Sequence, residues 1–205
     1  MKKRGTDRTQ KASKDTFTGR VAEETLMYLL DSYFRFNKLD VHIYDASKHR
    51  KDVNIFKIVK KNYGDEKQFD IDIVVKNVRK EDKKYFLISC KGSAREGIGQ
   101  YLSNLFLMDD RLIKAKYRDS YYLEFARKGV KIKYAFVCYD WGKTKDFLKY
   151  TKTGKERETL KSTEILLIND ENYISGGIAV LNNHENLDGV VNFGTLAARI
   201  AQFLN

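Results

Sequence analysis

The 205-residue chain contains no proline. No element boundary is therefore marked by that residue, and the loops are left to glycine and asparagine. Cysteine occurs only at Cys90 and Cys138, each inside a strand-like apolar run. Two such thiols exclude a disulfide framework, and core packing in a reducing cytoplasm suits both. The three histidines, His42, His49 and His184, have no metal-ligand spacing and with two isolated cysteines argue against a structural zinc site. Any catalytic metal must then be held mainly by oxygen. Long apolar runs are missing as well. Tyr85 to Cys90 and Tyr134 to Tyr139 are strand-sized, far below the roughly 20 residues of a bilayer span. The basic amino terminus lacks the apolar stretch of a signal peptide. A cytoplasmic protein with no membrane partner is expected.

Positive charge is what the chain has in excess. Its 39 Lys and Arg outweigh 28 Asp and Glu, for a net charge of +11. Such a field suits polyanions, nucleic acid first among them, although membrane-surface and ribosome-associated proteins share it. Residues 1–14 carry Lys2, Lys3, Arg4, Arg8, Lys11 and Lys14 with few apolar side chains, which predicts a flexible basic arm. Residues 15–205 are expected to form a single domain.

Helical spacing of Ala22, Leu26, Leu29, Leu30, Tyr33 and Phe34 predicts an amphipathic helix over Thr16 to Phe36. Glu23 lies along its apolar face and Glu24 on its polar side. Val41 to Tyr44 suggests a short strand, His49 to Asn62 a basic helical or irregular segment, and Tyr63 to Gln68 a turn. From Phe69 to Val75, Ile71, Ile73 and Val75 alternate with Asp70, Asp72 and Val74, the pattern of a strand with unlike faces. A charged turn then leads to the strand Tyr85 to Lys91, so a hairpin is expected, with Ser89 and Lys91 on one face. Glu96 to Tyr117 reads as helix, with Gln100, Asn104 and Arg111 on a stripe apart from its apolar residues. Further strands are expected at Lys131 to Asp140, Thr163 to Asn169 and Ile174 to Leu181, with a closing helix near Phe193 to Leu204. This order implies a mixed α/β domain, a central mixed sheet flanked by helices.

Phosphodiester hydrolysis needs an activated water, neutralised phosphoryl oxygens and help for the leaving oxygen. Carboxylate-bound Mg²⁺ together with a lysine supplies all three. Asp72 and Lys91 would meet across the predicted hairpin. A solvated cross-strand ion pair would look the same in sequence, but the inward Glu23, the Gln100 helix and the flanking basic segments favour a nuclease centre.

The order of these pieces, a glutamate helix, Asp72-Ile-Val-Val, a turn, Ile88-Ser-Cys-Lys and a helix with Gln100, resembles the PD-(D/E)xK nuclease superfamily over roughly residues 16–140. Gly19 followed four residues later by Glu23 is similar to the opening of its resolvase-like members. The resemblance implies a restriction-endonuclease-like core in which Asp72 binds Mg²⁺ and Lys91 orients or activates water. Glu23 would bind or support metal, the Cys90 carbonyl would complete coordination, and Gln100 would position backbone or substrate. The family pattern expects an acid two residues before the lysine, where this chain has Ser89. Asp70, Glu23 or Glu96 is the expected replacement. Ser89 as a nucleophile with Lys91 as base is a lesser alternative.

Lys48, Arg50, Lys51, Lys57, Lys60 and Lys61 before the centre, with Arg95, Lys143 and Lys145 after it, are the expected contacts to phosphates. The resemblance points to a homodimeric type II restriction endonuclease acting on double-stranded DNA. A Holliday-junction resolvase or repair nuclease would use the same core. A non-catalytic DNA-binding module with a decayed site is the reading from another class, and RNA as substrate is not excluded by any motif.

Overall fold

In a computed structural model of the chain, the described residues are 4–61, 64–78, 83–93, 100, 103–104, 107–108, 120–140, 175–180 and 190–205. Helix α1 (Arg4–Phe36) buries Ala22, Leu26, Leu30 and Phe34, which recur every four residues and so stay on one face. The helix already includes most of the basic stretch before residue 15. Its end is closed by Lys38 in the left-handed region (φ 53°), with the Leu39 N–H returning to the Phe34 carbonyl at 2.9 Å.

Strand β1 (Val41–Asp45) and helix α2 (Arg50–Val53) precede a hairpin of β2 (Lys57–Lys60) and β3 (Glu66–Gln68). Strands β4 (Ile73–Asn77) and β5 (Lys84–Ser93) follow. Later come β6 (Tyr121–Leu123), the short helix α3 (Glu124–Arg127), β7 (Lys131–Asp140), β8 (Ser175–Val180), β9 (Val190–Asn192) and helix α4 (Phe193–Leu204). Asn192 caps α4, its side-chain oxygen accepting from the Thr195 N–H at 2.8 Å.

The large sheet has the order β1-β4-β5-β7-β8-β9, antiparallel from β1 to β5 and parallel from β5 onward. A second sheet, β3-β2-β6, is antiparallel throughout. The fold is thus mixed α/β with a central mixed sheet flanked by helices. Ile73, Val75, Phe86, Ile88, Ala135 and Val137 pack against α1 and α4. Their neighbours Val74, Leu87, Tyr134 and Phe136 pack on the opposite face with Phe56, Ile58, Leu123, Phe125 and Met108. Burial on both faces is why the central strands are continuous apolar runs rather than alternating ones.

Two local expectations are corrected. The segment read as basic helix and turn holds α2 and the β2–β3 hairpin. The strand expected from Phe69 begins only at Ile73. Phe69 to Asp72 is instead the crossing from the small sheet to the large one: Phe69 is buried and donates its N–H to the Phe56 carbonyl at 3.2 Å, which pulls this stretch away from the β4 ladder. Among residues expected to be helical, 100, 103, 104, 107 and 108 are so. Residues 163–169 and Glu96 lie outside the described residues. No helix among the described residues is long and apolar enough to cross a membrane.

Candidate active site

Strands β4 and β5 pair Ile73 with Ile88, so Asp72 stands next in line opposite Ser89. Asp72 is fixed on both sides. Its N–H donates to the Ile88 carbonyl at 2.9 Å, and its carbonyl accepts from the Ala46 N–H at 2.9 Å. Beyond this point β5 has no β4 residue beside it on this edge, and the Asp72 side chain takes over: Oδ2 accepts from the Cys90 N–H at 2.7 Å. The same oxygen accepts from Lys91 Nζ at 3.2 Å and from the Ser89 hydroxyl at 3.4 Å. Lys91 Nζ also contacts Asp70 Oδ2 at 2.9 Å, so one ammonium is shared between two carboxylates.

The charges do not cancel within this group. A cleft of about 310 Å³ is lined by Glu23, Asp45, Arg50, Asp70 and Asp72 over an apolar floor that includes Val53 and Phe69. Burial raises the Glu23 pKa, the Asp72 charge raises it further against the pull of Lys91, and Asp45 adds to the rise, to about 7. Asp72 is also raised, first by burial and then by Asp70, against the opposing effects of Lys91 and the Cys90 N–H. Lys91 loses charge stability through burial, but the two aspartates more than restore it, holding its pKa above the usual lysine range. Asp45 is lowered overall, because the Ser47 hydroxyl (2.6 Å), the Ser47 N–H (2.8 Å) and Lys48 outweigh the effect of burial. A purely structural ion pair would match one cation to one anion. Here four carboxylates meet three cations: Lys91 is shared by Asp70 and Asp72, Lys48 pairs with Asp45, and Arg50 lines the cleft.

A hydroxyl network supports the centre from behind. Tyr134 on β7 donates to the Asp70 carbonyl at 3.1 Å and accepts from Asn104 Nδ2 at 3.3 Å. Ser89 is buried, serves the Asp72 carboxylate and lines neither cleft. A second cleft, of about 540 Å³, is lined by Lys67, Gln68, Asp70, Gln100, Ser103 and Asn104. Gln100 is exposed there, in a cleft that Glu23 does not line. The two clefts share Gln68, Phe69 and Asp70, so they meet at the crossing segment.

The structure therefore brings Glu23, Asp70, Asp72, Ser89, Cys90 and Lys91 together and sets Gln100 at the neighbouring cleft. Asp45 was missed in sequence although it directly follows a predicted strand; its place opposite Ile73 emerges only from the β1–β4 register. Tyr134 and Asn104 carry no local signal for their role.

Among the described residues no group of three or more His, Cys, Asp or Glu is spaced to hold a metal ion. Asp70 and Asp72 could nevertheless serve a hydrated Mg²⁺, which takes one or two carboxylates and keeps most of its waters. The oxygen-only donor set and the excess negative charge in the cleft fit that ion.

Of the basic residues, Arg50 lines the acidic cleft, Lys48 pairs with Asp45 at 3.4 Å, and Lys51 is exposed. Lys60 ends β2, roughly 10 Å of strand beyond the Lys57–Gln68 pair, and Lys61 follows it. Lys57 does not join them at the surface, since its Nζ is held by Glu66 at 2.6 Å with the side chain 12% exposed. Arg95, Lys143 and Lys145 lie outside the described residues.

No protein-family model and no curated protein matches the chain. Among solved structures, one of the pre-specific restriction endonuclease BsaWI in complex with DNA is similar at 13% identity with a TM-score of 0.49. The alignment covers 96% of this chain and spans 65% of the length of that one.

Proposed function

We propose that the chain is a Mg²⁺-dependent endonuclease that hydrolyses phosphodiester bonds of double-stranded DNA in the manner of type II restriction endonucleases. The observation that carries this reading is the Lys91 ammonium held between Asp70 and Asp72 at the edge of a cleft that also presents Glu23 and Asp45. The ordered motifs from Glu23 to Gln100 support it.

Asp70 is the best-placed carboxylate to stand in for the acid missing at Ser89, because it already touches the lysine. Asp72 and Asp70 would hold Mg²⁺, with the Cys90 carbonyl and water as the remaining donors. Bound there, the ion would polarise a phosphoryl oxygen and lower the pKa of a water. Lys91 stays charged, offsets charge on the phosphoryl oxygens and orients the attacking water. Glu23 titrates near neutrality, so it can take up a proton released at the centre. Arg50, Lys48 and Lys51 would hold the flanking phosphates, and two copies of the chain would place one centre at each strand.

Incubating the protein with a sequenced plasmid, with Mg²⁺ or with EDTA, and mapping the ends tests this. Discrete Mg²⁺-dependent double-strand ends are expected. Selective cutting of four-way junctions would favour resolution instead, and metal-insensitive binding with no cleavage would leave a DNA-binding module.

A further inference from the structure

We propose that Tyr134 is a positioning residue: its buried hydroxyl fixes the backbone of Asp70 and thereby keeps this second carboxylate against Lys91. The inference depends on the nuclease reading only for its catalytic consequence.

Asp72 is held by main-chain bonds to β5 and to Ala46, but Asp70 belongs to the crossing segment and has no strand partner. Its carbonyl is fixed instead by Tyr134 Oη at 3.1 Å. Tyr134 is a rigid support. It sits on β7, paired with Leu87 of the central β5, and is 0% exposed. A buried hydroxyl needs partners, and phenylalanine would fill the same space without one. Two partners belong to the site: Asp70 receives the hydrogen, while Asn104 donates to the oxygen from the helical segment after β5. Ser89 donates its own hydrogen to Asp72 at 3.4 Å. Burial pushes the Tyr134 hydroxyl up to about 12, which keeps it a neutral donor throughout the working pH range. Where the family pattern expects an acid, this chain has a hydroxyl that completes the support for another acid.

The test compares wild type, Tyr134→Phe, Asp70→Asn and the double variant by two measurements. One is the rate of amine labelling at Lys91 in metal-free protein, read by mass spectrometry. The other is Mn²⁺ binding. Tyr134→Phe should raise Lys91 labelling several-fold and weaken Mn²⁺ binding about tenfold, as loss of a supporting partner does at metal sites. On the Asp70→Asn background it should change neither, because its effect passes through Asp70. Labelling at the wild-type rate in Tyr134→Phe, or an equal increase on both backgrounds, overturns the proposal. If wild type binds no Mn²⁺ but the labelling pattern holds, the positioning role stands and the metal-nuclease reading falls. Should Tyr134→Phe not fold, Asn104→Ala removes the donor to the same oxygen. A roughly twofold rise in labelling is then expected, and no rise refutes the role.

Discussion

Asp72 and Asp70 reach the same ammonium from regions built on different principles. Asp72 sits at the end of the β4–β5 ladder, where neighbouring main-chain bonds set its position to within the tolerance of a sheet. Asp70 lies two residues earlier in the crossing between sheets, held by a hydroxyl from a strand far along the chain. The first arrangement is local and stiff. The second depends on one side chain, so it can be loosened without disturbing either sheet.

That contrast has measurable consequences. Asp72→Asn or Lys91→Ala should reduce Mg²⁺-dependent cleavage roughly a thousandfold or more, since each removes a group at the centre of the cluster. Retention of a tenth of wild-type cleavage in either would show that the ladder end is not the reacting centre. Asp70→Asn should be milder, roughly 10- to 100-fold, in keeping with a carboxylate held less rigidly. An equal loss at both positions would erase the distinction. Arg50→Ala should weaken duplex binding several-fold and lower the slope of log affinity against log salt by about one, as loss of a single phosphate contact does. An unchanged salt slope would place DNA elsewhere.

The smallest effect concerns pH. Glu23 is raised in the folded chain to about 7 from an ordinary value of 4.5. Its protonated form is therefore the one the fold favours, and that contribution is complete below pH 4.5 and lost as pH rises through about 7. Metal-free protein should melt lower at pH 8 than at pH 5, with Glu23→Gln removing about 2 °C of the difference. The side chain is half-exposed, so solvent screening keeps the effect small. No change of slope in Glu23→Gln would mean that burial and Asp72 do not together favour the protonated Glu23.

The same contrast explains what could be read in advance. The hairpin that joins Asp72 to Lys91 was legible because its register is local, and the run from Tyr85 to Cys90 is apolar throughout because both faces of β5 are covered. Helix α1 and the inward bias of Glu23 followed from spacing alone. The β2–β3 hairpin was hidden: Ile58 and Val59 are both buried, which breaks the alternation of a strand, and Glu66 to Gln68 is wholly exposed. Its other neighbour, β6, comes some 60 residues later. Tyr134 read as one more aromatic in a core strand, and its bond to Asp70 spans 64 positions. Contacts of that range leave no periodicity behind.

Because the final acceptor for the Cys90 amide is a carboxylate instead of a peptide carbonyl, Asp72 does structural work even in the resting protein. Alanine there would remove that acceptor and lower stability by about 1–3 kcal/mol, mixing misfolding into any measured loss of turnover. Asparagine keeps an acceptor for that donor while abolishing the charge, which makes the amide variant the cleaner probe of chemistry.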